Sequence, residues 1–414
     1  MTDLSNTLAA PQAVATAVAA GTGLPQALQR RAGWRAPLAV LAILAFVSVG
    51  PWLSVFQLTL LNQIGLAALV VLGLVLLTGV AGMTSFGQAA FVGIGAYACA
   101  WLTLGQGLPA WLAPLAGSHW AALGLGLVVT LGVSLALGAV TLKLSGHYLP
   151  LGTICWGLAL YALFGTSEAL GTHTGLSGLP PLQLLGWRLD QPGQMFVLIW
   201  ALLFVTMLGV HCLLDSRTGR AIRALNGGQA MAASMGVPVL RMKMAAFTLS
   251  ALLACLSGWL YACNQRFVSP APFSLGAGID YLFMALIGGV GQLWGAIAGA
   301  AVVTLARDAL QDQLPRLLGR SGNYEAIVFA LCVVLLMQRA PGGLWAAVRR
   351  WRLARRQAAR GAAGAQGTAQ ADGRATGHGT EAGEMASVAA AAAAAAVAPP
   401  RAVAGGRPAL PAAP

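Results

Sequence analysis

The sequence predicts an all-α, polytopic membrane protein with about 8–10 transmembrane helices, and three observations carry that expectation. Hydrophobic residues make up 58% of the 414 residues and charged residues only 8%, a balance that a water-soluble domain of this length does not need. Apolar runs long enough to cross a bilayer core of roughly 30 Å recur along the chain as far as about residue 340. The charges are gathered into patches between and around those runs instead of covering a soluble face, so the net charge of +13 does not point to nucleic acid.

In chain order the runs fall at about residues 37–55, 57–78, 88–104, 119–141, 149–166, 196–214, 244–262, 279–306 and 324–338. One basic patch, Arg30, Arg31 and Arg35, precedes the first run. A second, Arg217, Arg220, Arg223, Arg241 and Lys243, fills an internal loop, and a third, from Arg339 to Arg360, follows the last run. The positive-inside rule puts all three on the cytoplasmic side. Six crossings join the first patch to the second, with Lys143 inside and the loop holding Glu168, His173, Arg188 and Asp190 outside. Three further crossings would leave the last patch outside. The conflict resolves if 279–306 is two short crossings, broken at Ile287–Gly295, where four glycines weaken helix continuity. Ten passes follow, with both termini cytoplasmic in the inner (plasma) membrane.

The expected domains are a cytoplasmic arm over 1–35, a membrane domain over 36–345 and a cytoplasmic, largely disordered tail over 346–414. The tail is an Ala/Gly/Pro/Arg mixture without the aromatic and branched residues that a core requires. No cleavable signal is expected in the Ala-rich start. The six cysteines show no paired or metal-type spacing and read as packing residues, so neither a metal site nor a cofactor is expected.

The stretch Gly79–Tyr97 carries a break like that at Ile287–Gly295, with Gly82, Phe86 and Gly87 loosely paralleling Gly291, Trp294 and Gly295. Paired Gly-interrupted segments in the two halves of a transporter mark a translocation path; close helix packing through small residues is the alternative. The path candidates are Ser85, Phe86, Gly87 and Gln88 at the first break, and Asp280, Gly289, Gly291 and Trp294 around the second. Intramembrane acids such as Asp280 are functional candidates by default, whereas Arg307 and Asp308 are expected to pair with each other. The loop Gly171–Pro180 offers Thr172, His173 and Thr174 as outer-face candidates, or His173 is simply an exposed loop histidine.

The segment Asp215–Phe247 is polar and basic yet patterned as short amphipathic helices punctuated by Gly227, Gly228 and Gly236. A short helix with small residues on one face suits docking into a partner's groove; an ordinary positive-inside loop would explain the arginines but not the Ala/Gly pattern. This segment, the later FVSPAPFSLGAGIDYLFMALIGGVGQLWGAIAGA and the earlier TGVAGMTSFGQAAFVGIGAYA resemble, in the same order, blocks of the branched-chain amino-acid type of ABC permease. The resemblance covers roughly residues 40–345. It implies that 215–243 is the element that docks on an ATPase, with Ala232, Ala233 and Gly236 matching the family's Ala-Ala-x-x-Gly core and Arg217, Gly219, Arg220 and Arg223 leading into it. The acidic residue usual shortly before that core is replaced by Gln229 or absent.

The resemblance further implies import of leucine, isoleucine and valine by a complex of two permease chains, often non-identical, two ABC ATPases and an extracytoplasmic substrate-binding protein. Urea, short amides or another amino-acid-like solute fit the same architecture. The chain itself has no GxxxxGK[ST] phosphate loop and its only lysines are Lys143 and Lys243, so it is not expected to be an enzyme, and ATP would be hydrolysed by a partner. A secondary transporter would need ionisable groups deep in the bundle, of which the first six runs contain essentially none. An intramembrane hydrolase would need a GxSxG or HExxH motif, and neither is present.

Overall fold

The computed structural model describes residues 54–105, 109–110, 113–143, 148–184, 187–289 and 291–318, with residues 331 and 338. The expected arm (1–35), nearly all of the 37–55 and 324–338 runs and the tail (346–414) lie outside the described residues. Ten α-helices are described: α1 Val55–Leu74, α2 Gln88–Leu104, α3 His119–Thr141, α4 Tyr148–Thr166, α5 Pro192–Asp215, α6 Arg217–Asn226, α7 Gln229–Ser234, α8 Val239–Gln265, α9 Leu275–Gly288 and α10 Leu293–Leu318. Among the described residues, six segments are long and apolar enough to cross a membrane: α1 with its continuation to Val80, α3, α4, α5, α8 and α10 as far as Asp312. The shorter α2 and α9 are also apolar. The fold is that of an all-α polytopic membrane protein.

Local chemistry sets the ends of these helices. α5 starts four residues before the expected 196, because Pro192 suits the first helical turn and Gln191 and Gln194 form a reciprocal capping box. α8 begins earlier than expected and takes Arg241 and Lys243 into the helix; Arg266, in the left-handed conformation, ends it. The 279–306 run is two helices, α9 ending at Gly288 and α10 starting at Leu293. The second is not short: α10 has 26 residues.

α1, α2 and α8 form the centre. Added Cβ atoms at Gly95 and Gly258 would strike the carbonyls of Cys255 and Val92, so α2 and α8 cross with their backbones in contact, the close approach that small residues permit between membrane helices. The Ser257 hydroxyl donates to the Leu66 carbonyl at 2.8 Å and ties α8 to α1. The helices around this centre turn apolar side chains outward, among them Val128, Val140, Leu151, Val205, Leu208 and Leu305, as surfaces facing lipid or another membrane chain do.

The two ends of the bundle differ. Near one end of α1, the Asn62 amide donates to the Pro192 carbonyl at 3.3 Å; at the other, the Asn226 amide donates to the Gly79 carbonyl at 3.2 Å. The 167–191 loop and the α6–α7 segment therefore sit at opposite ends. The loop is fastened by an antiparallel pair of β1 Leu176–Ser177 with β4 Phe267–Val268, and by an ion pair of Arg266 with Asp190 at 2.8 Å. Within it, β2 Leu182–Leu184 and β3 Trp187–Leu189 make a small hairpin.

Candidate functional site

The first break begins where α1 loosens into a π-helical turn, Val75–Val80, a register that crowds an extra residue into each turn and recurs at functional sites. The chain leaves it through Gly82 at φ +69° and stays non-helical until α2 starts at Gln88. The Phe86 N–H donates to the Thr153 hydroxyl at 3.2 Å. A Cβ at Gly87 would lie 2.9 Å from the Thr153 carbonyl, and one at Gly278 would strike the Phe86 carbonyl. Ser85, Phe86, Gly87 and Gln88 are thus held together between α4 and α9.

Ser85 and Gln88 are buried, at 1% and 0% exposure. Among the described residues, the Ser85 hydroxyl and both amide atoms of Gln88 have no hydrogen-bond partner. Leaving such a group unpaired costs about 1–3 kcal/mol, so each of these atoms calls for an explanation. Beside Ser85 and Gly87 lies a narrow crevice walled by Phe91, Leu137, Trp156, Leu160 and Phe247.

At the second break, α9 and α10 fold back on each other so closely that Cβ atoms at Gly288 and Gly299 would strike the carbonyls of Gly295 and Met284. Gly289 and Gly291 take φ values of +112° and +83°. A Cβ on Gly291 would lie 3.6 Å from the Gly79 carbonyl, so the two breaks meet. Gly82 and Gly291, parallel in sequence, share the left-handed backbone. Trp294 points elsewhere: it is 46% exposed and its ring lies 6.4 Å from that of Phe204 on α5. Asp280 also stands apart from the Ser85–Gln88 strip, in a cleft lined by Gln63, Tyr261, Gln265, Tyr281 and Thr304. Arg307 does not pair with Asp308 as expected; it donates to Asp280 at 2.7 Å and ties α10 to α9. Adjacent residues on a helix do not face each other, and tertiary packing brings the acid of the facing helix to Arg307.

The α6–α7 segment has an inner and an outer face. Gly219, Ile222, Leu225 and Ala232 are buried. Gly219 lets α6 sit against the end of α5, since a Cβ there would strike the Leu213 carbonyl. Arg217, Arg220, Arg223, Ala233 and Gly236 are exposed, and Met231 and Met235 project at 64% and 73% exposure. Ala232 therefore packs inward, and Gly236 has nothing within 4 Å of its would-be Cβ. What Gly236 supplies is its φ of +79°, which closes α7 with bonds from its own N–H to the Ala233 carbonyl and from the Val237 N–H to the Ala232 carbonyl. Gln229 is exposed, and its side-chain oxygen accepts from the buried Lys243 ammonium at 2.8 Å, fastening α7 to α8.

In the 167–191 loop, Thr172 adopts φ +50° and the Thr174 hydroxyl donates to the Gly171 carbonyl at 2.7 Å. His173 is exposed but rests its ring against Gly165. The histidine that anchors this loop is His119, whose Nε2 lies 3.1 Å from the Pro180 carbonyl while its own carbonyl accepts from Trp259 Nε1 at 2.8 Å.

Residues 56–338 match the family model described as "Branched-chain amino acid transport system / permease component". Among similar proteins, the high-affinity branched-chain amino acid transport system permease protein LivM of Salmonella typhimurium is 28% identical over 67% of each chain. The autoinducer 2 import system permease protein LsrC of an Enterobacter species is 31% identical over 44% of this chain and 55% of its own. The ribose import permease protein RbsC of Escherichia coli is 26% identical over 50% of this chain and 67% of its own. No solved structure matches the chain. With a multi-pass helical body, two glycine breaks that touch, and a family match over residues 56–338, this chain belongs to the branched-chain amino acid transport system permease component family, whose members are membrane subunits of ABC importers.

Proposed function

We propose that this chain moves leucine, isoleucine and valine across the inner membrane as one of two non-identical permease subunits, driven by two ABC ATPases and supplied by an extracytoplasmic binding protein. The observation that carries the reading is the non-helical strip Ser85–Gln88, buried inside the bundle with polar groups left unpartnered. Irregular backbone at membrane depth is tolerated where it lines a cavity or a path. The hydroxyl and amide suit a solute's polar head, and the apolar wall of Phe91, Leu137 and Leu160 suits an aliphatic side chain.

The α6–α7 segment is then the cytoplasmic docking element. Its arginines and projecting methionines face the ATPase, while Gly219, Ala232 and Gly236 hold its shape. The 167–191 loop, with Thr172, His173 and Thr174, faces the binding protein. Both termini are cytoplasmic, and the membrane domain extends over 36–345. The resemblance to LivM supports branched-chain cargo; the similarity to LsrC and RbsC favours a second reading, a sugar-like solute in the same architecture.

Uptake of radiolabelled leucine in cells with and without this chain, its cognate ATPases and binding protein present, tests the cargo, with ribose and urea as competing solutes. Loss of leucine uptake alone supports the reading. Intact leucine uptake with loss of ribose or urea uptake overturns the cargo and keeps the architecture.

A further inference from the structure

The last residue of α6, Asn226, reaches out of the docking segment. Its side-chain N–H donates to the Gly79 carbonyl at 3.2 Å. That carbonyl sits at the end of the π-helical turn, where helix carbonyls run out of intrahelical donors. A Cβ on Gly82, just beyond, would lie 3.0 Å from the Asn226 side-chain oxygen and 3.5 Å from its Cα, so the end of α6 lies flush on the first break. From the other side, Gly291 of the second break approaches the same Gly79 carbonyl, 3.6 Å from its would-be Cβ. One peptide group therefore touches the docking segment and both breaks.

Immediately after Asn226 the chain passes Gly227 and Gly228, the latter at φ +133°, before α7 begins. α7 is held separately, by Gln229 on Lys243 of α8. The segment is thus two short helices joined by a glycine pair, each fastened to a different membrane helix by one side-chain amide. A displacement of α6 is passed to the π-helical end of α1, and from there to the second break, through the Asn226 amide.

We propose that Asn226 is the positioning residue that transmits movement of the docking segment to the two glycine breaks, setting how much solute crosses for each ATP hydrolysed. The inference rests on the reading of the segment as ATPase-docking, and on the side-chain contact instead of on the helix's mere proximity. Asn226→Asp replaces the donor by a carboxylate facing a carbonyl; Asn226→Ala removes it without introducing a charge. Neither alters the arginines Arg217, Arg220 and Arg223 or the projecting Met231 and Met235.

The test is the ratio of leucine transported to ATP hydrolysed, measured on the complete complex with its binding protein in proteoliposomes, per assembled complex. The expected result is a fall of at least fivefold in that ratio for both variants, with hydrolysis still stimulated by the loaded binding protein. A merely structural contact would lower the number of assembled complexes, or uptake and hydrolysis together, and leave the ratio within about twofold of the parent; that outcome overturns the proposal. If the parent chain fails to co-purify with the ATPase, the docking reading fails and the inference goes with it. Co-purification with an unchanged ratio sinks only the role of Asn226.

Discussion

The Gln88 side chain is fully buried and its amide unpartnered, which separates two roles that one substitution can tell apart. Replacing a buried, unsatisfied polar group with an apolar one of similar size is nearly neutral or stabilising. Gln88→Leu is therefore expected to leave thermal stability in detergent unchanged or slightly raised while uptake falls about tenfold or more, the equivalent of roughly 1.4 kcal/mol. A loss of stability with uptake preserved would make Gln88 an ordinary core residue. Gly236 poses a different question. The left-handed conformation costs a branched L-residue roughly 1–2 kcal/mol, whereas asparagine tolerates it. Since no neighbour approaches its would-be Cβ, Gly236→Val is predicted to abolish ATP-coupled uptake with membrane insertion intact, and Gly236→Asn to retain most of it. Equal loss in both variants would show that bulk, not backbone conformation, is what the position forbids.

Among the elements, α9 and α10 owe their pairing to glycine contacts and to one ion pair. Asp280 lies on one and Arg307 on the other, 2.7 Å apart, with side chains 16% and 45% exposed. Partners in contact are non-additive by about 0.5–3 kcal/mol. Asp280→Asn and Arg307→Gln should each lower the melting temperature of the purified protein, and the double variant should fall little further than the worse single one. Additive losses would mean that the pair is incidental. The helices themselves were legible in sequence because membrane burial demands long apolar runs, and the break at Ile287–Gly295 was legible because charge bookkeeping required an extra pass. The partner of Arg307 was not: sequence offers the adjacent Asp308, and only the antiparallel packing of α9 on α10 brings Asp280 opposite. The π-helical end of α1 was equally hidden, since Val75–Val80 differs in no pattern from the α-helix before it. Thr153 carried no signal either, yet it holds the first break. For Ala232, composition alone could not say which face it occupies; which face of so short a helix turns inward depends on how its ends are tied, here at Gly228 and Gly236.

At the scale of the whole molecule, the breaks, the α6–α7 segment and the outward apolar faces form one arrangement. The Ser85–Gln88 strip lies inside the bundle, the α6–α7 segment contacts its lower rim through Gly79, and the 167–191 loop closes the opposite end. On the reading proposed above, such a body moves solute only when an ATPase and a binding protein act on it from its two ends. The most direct measurement of that claim is leucine accumulation in proteoliposomes holding the full complex, with ATP enclosed or omitted and the binding protein present or absent, and no ion gradient. Accumulation only when both ATP and binding protein are supplied is the predicted result. Accumulation with ATP omitted, or with ATP enclosed but the binding protein absent, would contradict the account.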